Sequence, residues 1–382
     1  MRKWVVLLLI HVLALSNLTA FEEETAQFGH RKLCVPQKVN DAPLPEEKKI
    51  ATQNSTITPS LSPFVSNGTN SYASVDFIWW KAVIGGSGYA YTGTADGYHV
   101  PAWANVQPGT LKRPDFSFEP GVKIGLGTYF EHDGWDIHVE FTHLAGPQLE
   151  NNIRASENLG AKSIIPITTA DGTVEPVSLN HARCEWKQDF NVVDLELGRF
   201  FFISKRLAFR PYVGVKTAWI HETFQMFFVP TPNTYDPRSG SIFPLNEVLA
   251  AYLRRQQHMW GLGLRGGIDT MWAITKNWAI YGDIAFTTLW SDFHIKISDK
   301  LVEMFGGQFE SLSNYSSLQT VIPVLETGLG LAYITWFCDN GYRLQLQAGW
   351  ETQIWTDVNY SLRQGGGSLT TQGLTIKAGL TF

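Results

Sequence analysis

The chain has little charge and, beyond its first residues, no long apolar run. Only 17% of its 382 residues are charged, below the roughly 25% of an average soluble domain. Downstream of Ala20, no apolar stretch approaches the about 20 residues that a membrane-spanning helix needs. The net charge of −5 comes without the basic clusters that bind nucleic acid. These absences argue against a helical membrane protein and a nucleic-acid-binding protein.

The N-terminal residues have the three parts of a secretory signal peptide. Arg2 and Lys3 precede an apolar run, and small residues lead to Ala20. We therefore expect a signal peptide over residues 1–20, cleaved near Ala20, and export from the cytoplasm. Residues 21–71 are rich in Glu, Lys, Pro, Ser and Thr, and such a composition buries too little apolar surface to fold alone. We predict a polar, flexible leader there and a folded domain over residues 72–382.

From Tyr72 onward, apolar and polar residues alternate with period two, which is the pattern of strands with one apolar and one polar face. Between Trp135 and Thr142, for example, Trp, Ile, Val and Phe alternate with Asp, His, Glu and Thr. Ten segments show the pattern. The predicted strands lie near residues 72–83, 117–131, 134–144, 190–202, 207–220, 258–273, 278–291, 319–336, 342–353 and 372–382.

The connections alternate between tight turns and long polar loops. The turns are predicted at 132–134, 204–206, 275–277 and 338–341, and the loops at 84–116, 145–189, 221–257, 292–318 and 354–371. Short periplasmic turns opposite long extracellular loops are typical of outer-membrane β-barrels. We predict an all-β fold, an antiparallel transmembrane β-barrel of at least ten strands in a Gram-negative outer membrane. Hairpins hidden in the long loops would add strands in pairs.

Aromatic spacing agrees with this fold. Trp260 and Trp272 share one strand face and lie twelve residues apart, as do Trp278 and Trp290. Twelve residues that rise about 3.3 Å each and tilt by about 40° project to roughly 30 Å, close to the apolar band with its aromatic girdles. The apolar face is therefore predicted to meet lipid.

The polar face would then line the barrel interior, where charges avoid the about 2–4 kcal/mol that Arg or Lys costs at the lipid-facing midplane. Glycines on this face would leave open volume. The predicted pore-lining residues are Lys123, Glu140, Asp194, Glu196, Arg210, Lys216, Arg265, Asp269, Asp283, Glu326, Arg343 and Glu351.

The first function hypothesis is a porin that allows passive diffusion of small hydrophilic solutes and ions. The alternative is a structural or host-contacting barrel without an open pore, whose surface loops carry the function. Ten strands can close around their own side chains, whereas porins with an aqueous channel use about 16–18. Outer-membrane lipid is a partner under both hypotheses, and a homo-oligomer stays open.

The sequence has no strong catalytic or metal-binding pattern. His138 and Glu140 share the predicted interior face, but no third ligand accompanies them. We expect no catalytic, cofactor-binding or metal site and no enzyme activity. Three cysteines, Cys34, Cys184 and Cys338, are candidates for a disulfide, and an odd number in an exported protein suggests intermolecular pairing or a free thiol.

Two prolines, Pro211 and Pro323, fall inside predicted strands. Because proline removes one donor from the strand ladder, we expect a bulge or frayed pairing at each.

The chain resembles the pore-forming major outer membrane proteins of the Legionella type, a family also abundant in chlamydia-like bacteria. The resemblance covers Tyr72 to Phe382. Its motifs are residues 75–82 (VDFIWWKA), 132–136 (HDGWD), 194–199 (DLELGR), 210–214 (RPYVG), 260–269 (WGLGLRGGID), 348–351 (AGWE) and 373–375 (GLT).

The resemblance implies a porin-like function, an outer-membrane location and disulfide cross-linking between outer-membrane proteins. The terminal Phe382 resembles the signature by which the barrel assembly machinery recognises its clients.

Overall fold

A computed structural model describes most of the chain downstream of residue 60. The described residues are 61–66, 68–92, 110–130, 133–146, 149–154, 161–163, 167–168, 174–175, 178–230, 234–235, 242–243, 248–303, 308–361 and 367–382. The predicted signal peptide, residues 21–60 of the predicted leader, and Cys34 lie outside them. Within these ranges, no helix has the length and apolar character needed to cross a membrane.

Ten long antiparallel strands form a closed β-barrel, as predicted. The strands are β1 Ser71–Ile84, β2 Phe118–Tyr129, β3 Trp135–Ala145, β4 Ser178–Arg199, β5 Leu207–Pro230, β6 Val248–Ala273, β7 Trp278–Glu303, β8 Gln308–Phe337, β9 Tyr342–Trp355 and β10 Leu369–Thr381. Each pairs with its neighbour in sequence, and β10 closes the ring on β1 with Tyr72 opposite Thr381. All ten predicted strands are therefore confirmed.

Short strands flank the barrel. Phe201–Ser204 pairs with β5, and Leu149–Arg154 extends the pairing of β3 along β4. The other short strands are Ala90–Thr92, Thr110–Lys112, Ala161–Ser163, Ile167–Thr168, Val174–Glu175, Thr234–Tyr235 and Ile242–Phe243.

The alternation places large apolar side chains on the outside of the barrel. Leu264 is 76% exposed, and Val213 and Leu329 are each 64% exposed. A water-soluble barrel has no reason to expose such residues strand after strand, whereas a barrel in lipid buries them in acyl chains. At the short-turn end, Trp272 and Trp278 also face outward. The lipid-facing side is therefore apolar with aromatics at its margin.

The strands extend much further at the outer end than predicted. β7 and β8 run through most of the predicted loop 292–318, and only residues 304–307 separate them. The predicted loops 145–189 and 221–257 also contribute long stretches of β4, β5 and β6. The predicted bounds of these three loops were therefore wrong, because each strand was predicted to end where its outward apolar residues end.

Along these extensions the two strand faces exchange polarity while the alternation continues. In β5, inward Lys216 is followed two, four and eight residues later by inward Ala218, Ile220 and Phe224, all buried. Outward positions change from Val213 to polar residues such as Gln225. Polar outside and apolar inside is the arrangement of a barrel in water. The exchange therefore marks the point at which the strands leave the membrane.

The expected bulges at the two prolines are absent. Pro211 pairs with Ile268 on β6 and Pro323 with Thr288 on β7, and the register of these two ladders continues past each proline. Both prolines point outward and are exposed. On their other sides the ladders are interrupted: the β4 pairing with β5 stops at Gly198–Tyr212, and the β8–β9 pairs end at Val324–Trp355. Each proline therefore lies where one of its two ladders frays, as expected, and neither forms a bulge.

The four short turns stand where they were predicted. Positive φ angles at Asp133 (64°), Asp339 (51°) and Asn340 (63°) allow the chain to reverse within a few residues. In the turn between β6 and β7, the Thr275 hydroxyl accepts a hydrogen bond of 3.0 Å from the Trp278 N–H.

Residues 61–66 and 68–70 cross the short-turn end of the barrel. Leu61 is buried against inward-facing Ala208 and Ile334, and the Phe64 ring lies 6.0 Å from that of Tyr129. The Ser66 N–H donates a 2.8 Å hydrogen bond to the Asn340 carbonyl. This end of the barrel, which is periplasmic in outer-membrane barrels, therefore has a covering segment.

Candidate functional site

The barrel interior has two layers with different chemistry. The half nearer the short turns is polar and charged, and the outer half is lined by buried apolar and aromatic side chains. The twelve residues predicted to line a pore all have inward-facing side chains in the polar layer. They meet in two ion-paired clusters, with Asp283 and Arg343 outside both.

The first cluster joins β1, β2, β3, β9 and β10. Lys123 Nζ lies 2.6 Å from a Glu351 oxygen and 3.5 Å from a Glu140 oxygen. Lys377 Nζ lies 3.4 Å from Glu140 and 3.6 Å from a carboxylate oxygen of Asp76 on β1. The two lysines thus face three carboxylates. The cluster crosses the interior between strands that are not neighbours in the sheet.

The second cluster is built on three cations from β5 and β6. Arg210 contacts Asp136 at 2.7 Å, Glu196 at 3.1 Å and Asp269 at 2.7 Å. Three carboxylates around one guanidinium use most of its five donors. Arg210 therefore holds β3, β4 and β6 to β5 from the inside.

Lys216 and Arg265 complete this second cluster. Lys216 Nζ lies 2.8 Å from Asp194 and 3.0 Å from Glu326, and its side chain is 0% exposed. Arg265 contacts the same Glu326 at 2.6 Å and Glu196 at 3.1 Å. Glu326 is on β8 and Glu196 on β4, so these side chains cross a large part of the interior.

Two of the predicted residues form no ion pair within the described part of the chain. Arg343 lies at the periplasmic end of β9, where its guanidinium is 5.8 Å from the ring centre of Trp336. Asp283 lies against Gly328. Both line a cavity of about 240 Å³ with the two clusters and with Leu61 of the covering segment.

Aromatic side chains span the barrel above the clusters. The ring centres of Phe190 on β4 and Trp355 on β9 are 5.5 Å apart at an interplanar angle of 87°. These two strands stand on opposite sides of the ten-stranded ring, so their contact crosses the barrel diameter. Trp186 stacks on Phe224 at 6.0 Å. Trp186, Phe190 and Trp355 are each 0% exposed.

The segment that follows β9 folds into the outer half of the barrel. The Val358 carbonyl accepts a 2.7 Å hydrogen bond from the Gln257 amide nitrogen, and the Tyr360 N–H donates a 3.0 Å hydrogen bond to the Gln257 amide oxygen. The Tyr360 ring packs against Phe293 at 5.0 Å. Residues 356–361 therefore form an inner cover that is anchored on β6 and β7.

Glu222 lies beneath this inner cover, three residues beyond Trp219 and outside the membrane-spanning part of β5. It is 2% exposed and accepts a 3.2 Å hydrogen bond from Gln257. Burial disfavours its charged form and raises the pKa of the carboxyl to about 8.

The interior glycines do not leave open volume, contrary to expectation. A Cβ built on Gly330 lies 2.7 Å from Tyr281 Cε1, and one built on Gly349 meets the Tyr281 hydroxyl. Tyr72 covers Gly127 and Tyr212 covers Gly267 in the same way. The glycines make room for tyrosine rings from neighbouring strands, and the rings fill the space.

The aromatic layer was missed by sequence analysis, although a signal was present. From the sequence alone, every polar residue was assigned to the inner face and every apolar residue to the outer face. In the structure, every second residue of a strand points inward along its whole length, whatever its polarity. In β1 the inward set begins with Ser74 and Asp76 and continues as Ile78 and Trp80. Following the phase rather than the polarity would have placed Trp80, Trp186 and Trp355 inside.

The cysteines have different states. Cys184 is a free thiol buried on the inner side of β4, and Cys338 is disulfide-bonded. No group of three or more His, Cys, Asp and Glu suited to a metal ion occurs among the described residues.

A closed ring of strands with an apolar outer face and a charged interior defines a class, the outer-membrane β-barrel proteins. Within that class, the model of the Legionella pneumophila major outer membrane protein precursor matches residues 66–378. The chain belongs to this family of major outer membrane proteins. A comparison with curated protein sequences found no match.

Solved outer-membrane barrels are similar in fold. The outer membrane protease OmpT from Escherichia coli has 11% identity and a TM-score of 0.36, with 85% of this chain and 100% of that chain covered. A major outer membrane protein from Thermus thermophilus has 11% identity and a TM-score of 0.26, over 82% and 99%. The toluene transporter TodX from P. putida has 11% and 0.26, over 85% and 91%. Sequence identities and TM-scores this low do not indicate what activity this chain has.

Proposed function

We propose that the protein is an outer-membrane barrel whose central axis is closed to water and solutes. Its function is then carried by its exposed outer end and by its structural role in the membrane. The observation that carries this proposal is the contact between Phe190 and Trp355 across the barrel diameter. Water and ions cannot pass through close-packed rings, because an ion in an apolar layer loses its hydration without replacement. This is the structural or surface-contact hypothesis rather than the diffusion pore.

Two further features support a sealed axis. Most of the interior charges are paired with one another, which leaves few to attract passing ions. The two ends also carry covers, residues 61–66 and 68–70 at the periplasmic end and residues 356–361 at the outer end. A ten-stranded barrel is narrow enough to be filled by side chains alone.

A diffusion pore for small hydrophilic solutes is the second candidate, and one observation favours it. The polar layer encloses a cavity of about 240 Å³ lined by Lys123, Glu140, Arg265 and other charged residues. If the two covers and the Phe190–Trp355 contact moved aside, this cavity would become the lower part of a channel.

Single-channel recording in planar bilayers distinguishes the two candidates. We expect the refolded parent protein to be electrically silent and the double variant Phe190→Ala/Trp355→Ala to give stable conductance steps. The matched control is Trp350→Ala, which removes a lipid-facing indole from the same strand and should stay silent. Stable steps from the parent would overturn the sealed axis and support the pore. A folded but silent double variant would show that the aromatic contact does not close the axis.

We also propose that the barrel has no enzymatic role. Ser74 Oγ and His138 Nδ1 lie inside the same cavity, and within the described residues neither has a hydrogen-bond partner. A nucleophile needs a base within hydrogen-bond reach. Turnover of peptide or ester substrates that is abolished by His138→Ala would contradict this proposal.

We further propose how the protein is exported and how its barrel is assembled. Phe382 faces outward and its N–H donates a 2.9 Å hydrogen bond to the Ser71 carbonyl, which ties the last residue to the first strand. We propose that the barrel assembly machinery recognises this C-terminal strand and that the signal peptide is cleaved near Ala20. Phe382→Ala should lower the yield of assembled barrel in outer-membrane fractions.

A further inference from the structure

The outward face of β4–β7 beyond the membrane forms a regular grid of side chains. Its lowest row contains Trp219 and Trp260, which are directly paired, and the next row aligns His221, His258 and His294 across three strands. Two residues further out, Gln256 pairs with Lys296, and beyond it Arg254 pairs with Ser298 and Tyr252 with Lys300. The grid therefore runs from an aromatic row through a histidine row to basic rows.

The basic rows line a groove of about 600 Å³. Its charged residues are Arg183, Arg254, Lys296, Lys300 and one carboxylate, Glu185, so four cations and one anion give a net charge of +3. Glu185 pairs with Arg183.

The other three cations of the groove are exposed. Within the described residues, Arg254, Lys296 and Lys300 have no ion-pair partner. By contrast, the outer part of β8 from Ser313 to Gln319 has no charged residue. Among the outer parts of β4–β8, the positive charge is thus concentrated on β4–β7.

The height of the groove above the membrane limits what can bind it. Lys296 pairs with Gln256, which lies four residues beyond Trp260. Four residues that rise about 3.3 Å each with a tilt of about 40° project to about 10 Å, and the Lys300 row stands roughly 20 Å above the aromatic row. The headgroup layer of a bilayer is only about 5–7 Å thick on each side. Most of the groove therefore lies above phospholipid phosphates.

We propose that this groove binds the phosphorylated sugar headgroup of a glycolipid in the outer leaflet. Such a headgroup carries phosphates on sugars that rise above the acyl chains, at the height of the basic rows. Arg and Lys form charge-assisted hydrogen bonds with phosphate oxygens. Phe227 and Tyr252, whose ring centres are 4.8 Å apart in the same groove, offer an aromatic surface to the sugars.

The site would hold the lipid against the flank of the barrel rather than in its interior. Its existence does not depend on whether the axis is sealed, because none of its residues takes part in the Phe190–Trp355 contact or in the interior clusters.

Binding can be measured on the refolded full-length barrel in detergent, with four probes. These are a lipopolysaccharide with phosphorylated core sugars, the same glycolipid after enzymatic dephosphorylation, phosphatidylglycerol and inorganic phosphate. The patch variant is Arg254→Gln/Lys296→Gln/Lys300→Gln. The control, Lys205→Gln/Arg206→Gln/Lys276→Gln, removes the same charge from exposed periplasmic turns. Heat-dependent gel mobility checks that each variant is folded.

We expect the phosphorylated glycolipid to bind the parent and the control with the same Kd, and the patch variant to bind at least tenfold more weakly. Dephosphorylation should weaken binding to the parent by a similar factor. Equal binding of phosphatidylglycerol would overturn the height argument, and equal binding of inorganic phosphate would indicate an ion site only. A patch variant that binds like the parent would remove the groove as the site.

Discussion

Removing the Lys216 ammonium tests how much the interior ion pairs stabilise the barrel. Lys216→Met keeps most of the side-chain volume but leaves Asp194 and Glu326 facing each other, with Arg265 as their remaining cation at 3.8 Å and 2.6 Å. The Lys216 side chain is 0% exposed, so solvent cannot replace the lost charge.

The magnitude follows from the geometry. At an effective dielectric constant of about 20, unit charges at 2.8 Å and 3.0 Å attract by about 6 and about 5.5 kcal/mol. Much of this offsets the cost of removing the charges from water. Measured losses on removing one partner of a buried pair are about 3–5 kcal/mol. We expect Lys216→Met to lose that amount of unfolding free energy.

The assay is urea-induced unfolding in lipid vesicles, followed by tryptophan fluorescence and gel mobility. Lys205→Met, on an exposed turn, is the control and should stay within about 0.5 kcal/mol of the parent. Adding Glu326→Gln to Lys216→Met should restore part of the loss, because it removes one stranded carboxylate. A Lys216→Met barrel within about 1 kcal/mol of the parent would refute the view that the cluster holds these strands together.

Two further predictions concern packing and pH. Gly349→Ala should lower the free energy of unfolding by about 1–3 kcal/mol, since the new methyl group meets the Tyr281 hydroxyl. The control Gly379→Ala, where the nearest atom would be 3.8 Å from the new methyl group, should be tolerated. Equal urea midpoints for the two variants would contradict the Tyr–Gly packing. Glu222, whose pKa is raised from 4.5 to about 8 in the folded state, keeps a proton that the unfolded chain releases. The free energy of unfolding should therefore fall by about 1.4 kcal/mol for each unit by which the pH rises between those two pKa values. Glu222→Gln should remove that slope, and an unchanged slope in urea titrations across this range would argue against the buried carboxyl.

The membrane-spanning part of the barrel was predictable because lipid imposes a simple rule. Where one face meets acyl chains and the other does not, alternation such as Trp135 to Thr142 locates a strand and assigns its faces. The short turns followed in the same way from Asp133 and Asn340. The extensions of β4–β8 were not predicted, because beyond the membrane the same alternation continues with opposite polarity.

The sequence by itself determined that the barrel has at least ten strands, their order and the lipid-facing side, and it assigned the twelve charged residues to the polar face, since each depends on local periodicity. Only the tertiary structure decided which charges meet, such as Lys216 with Glu326, and that Phe190 touches Trp355. The reason is geometric: both contacts join strands that are far apart in the chain, and their distances are set by the radius of the closed ring. Period and polarity contain no information about that radius.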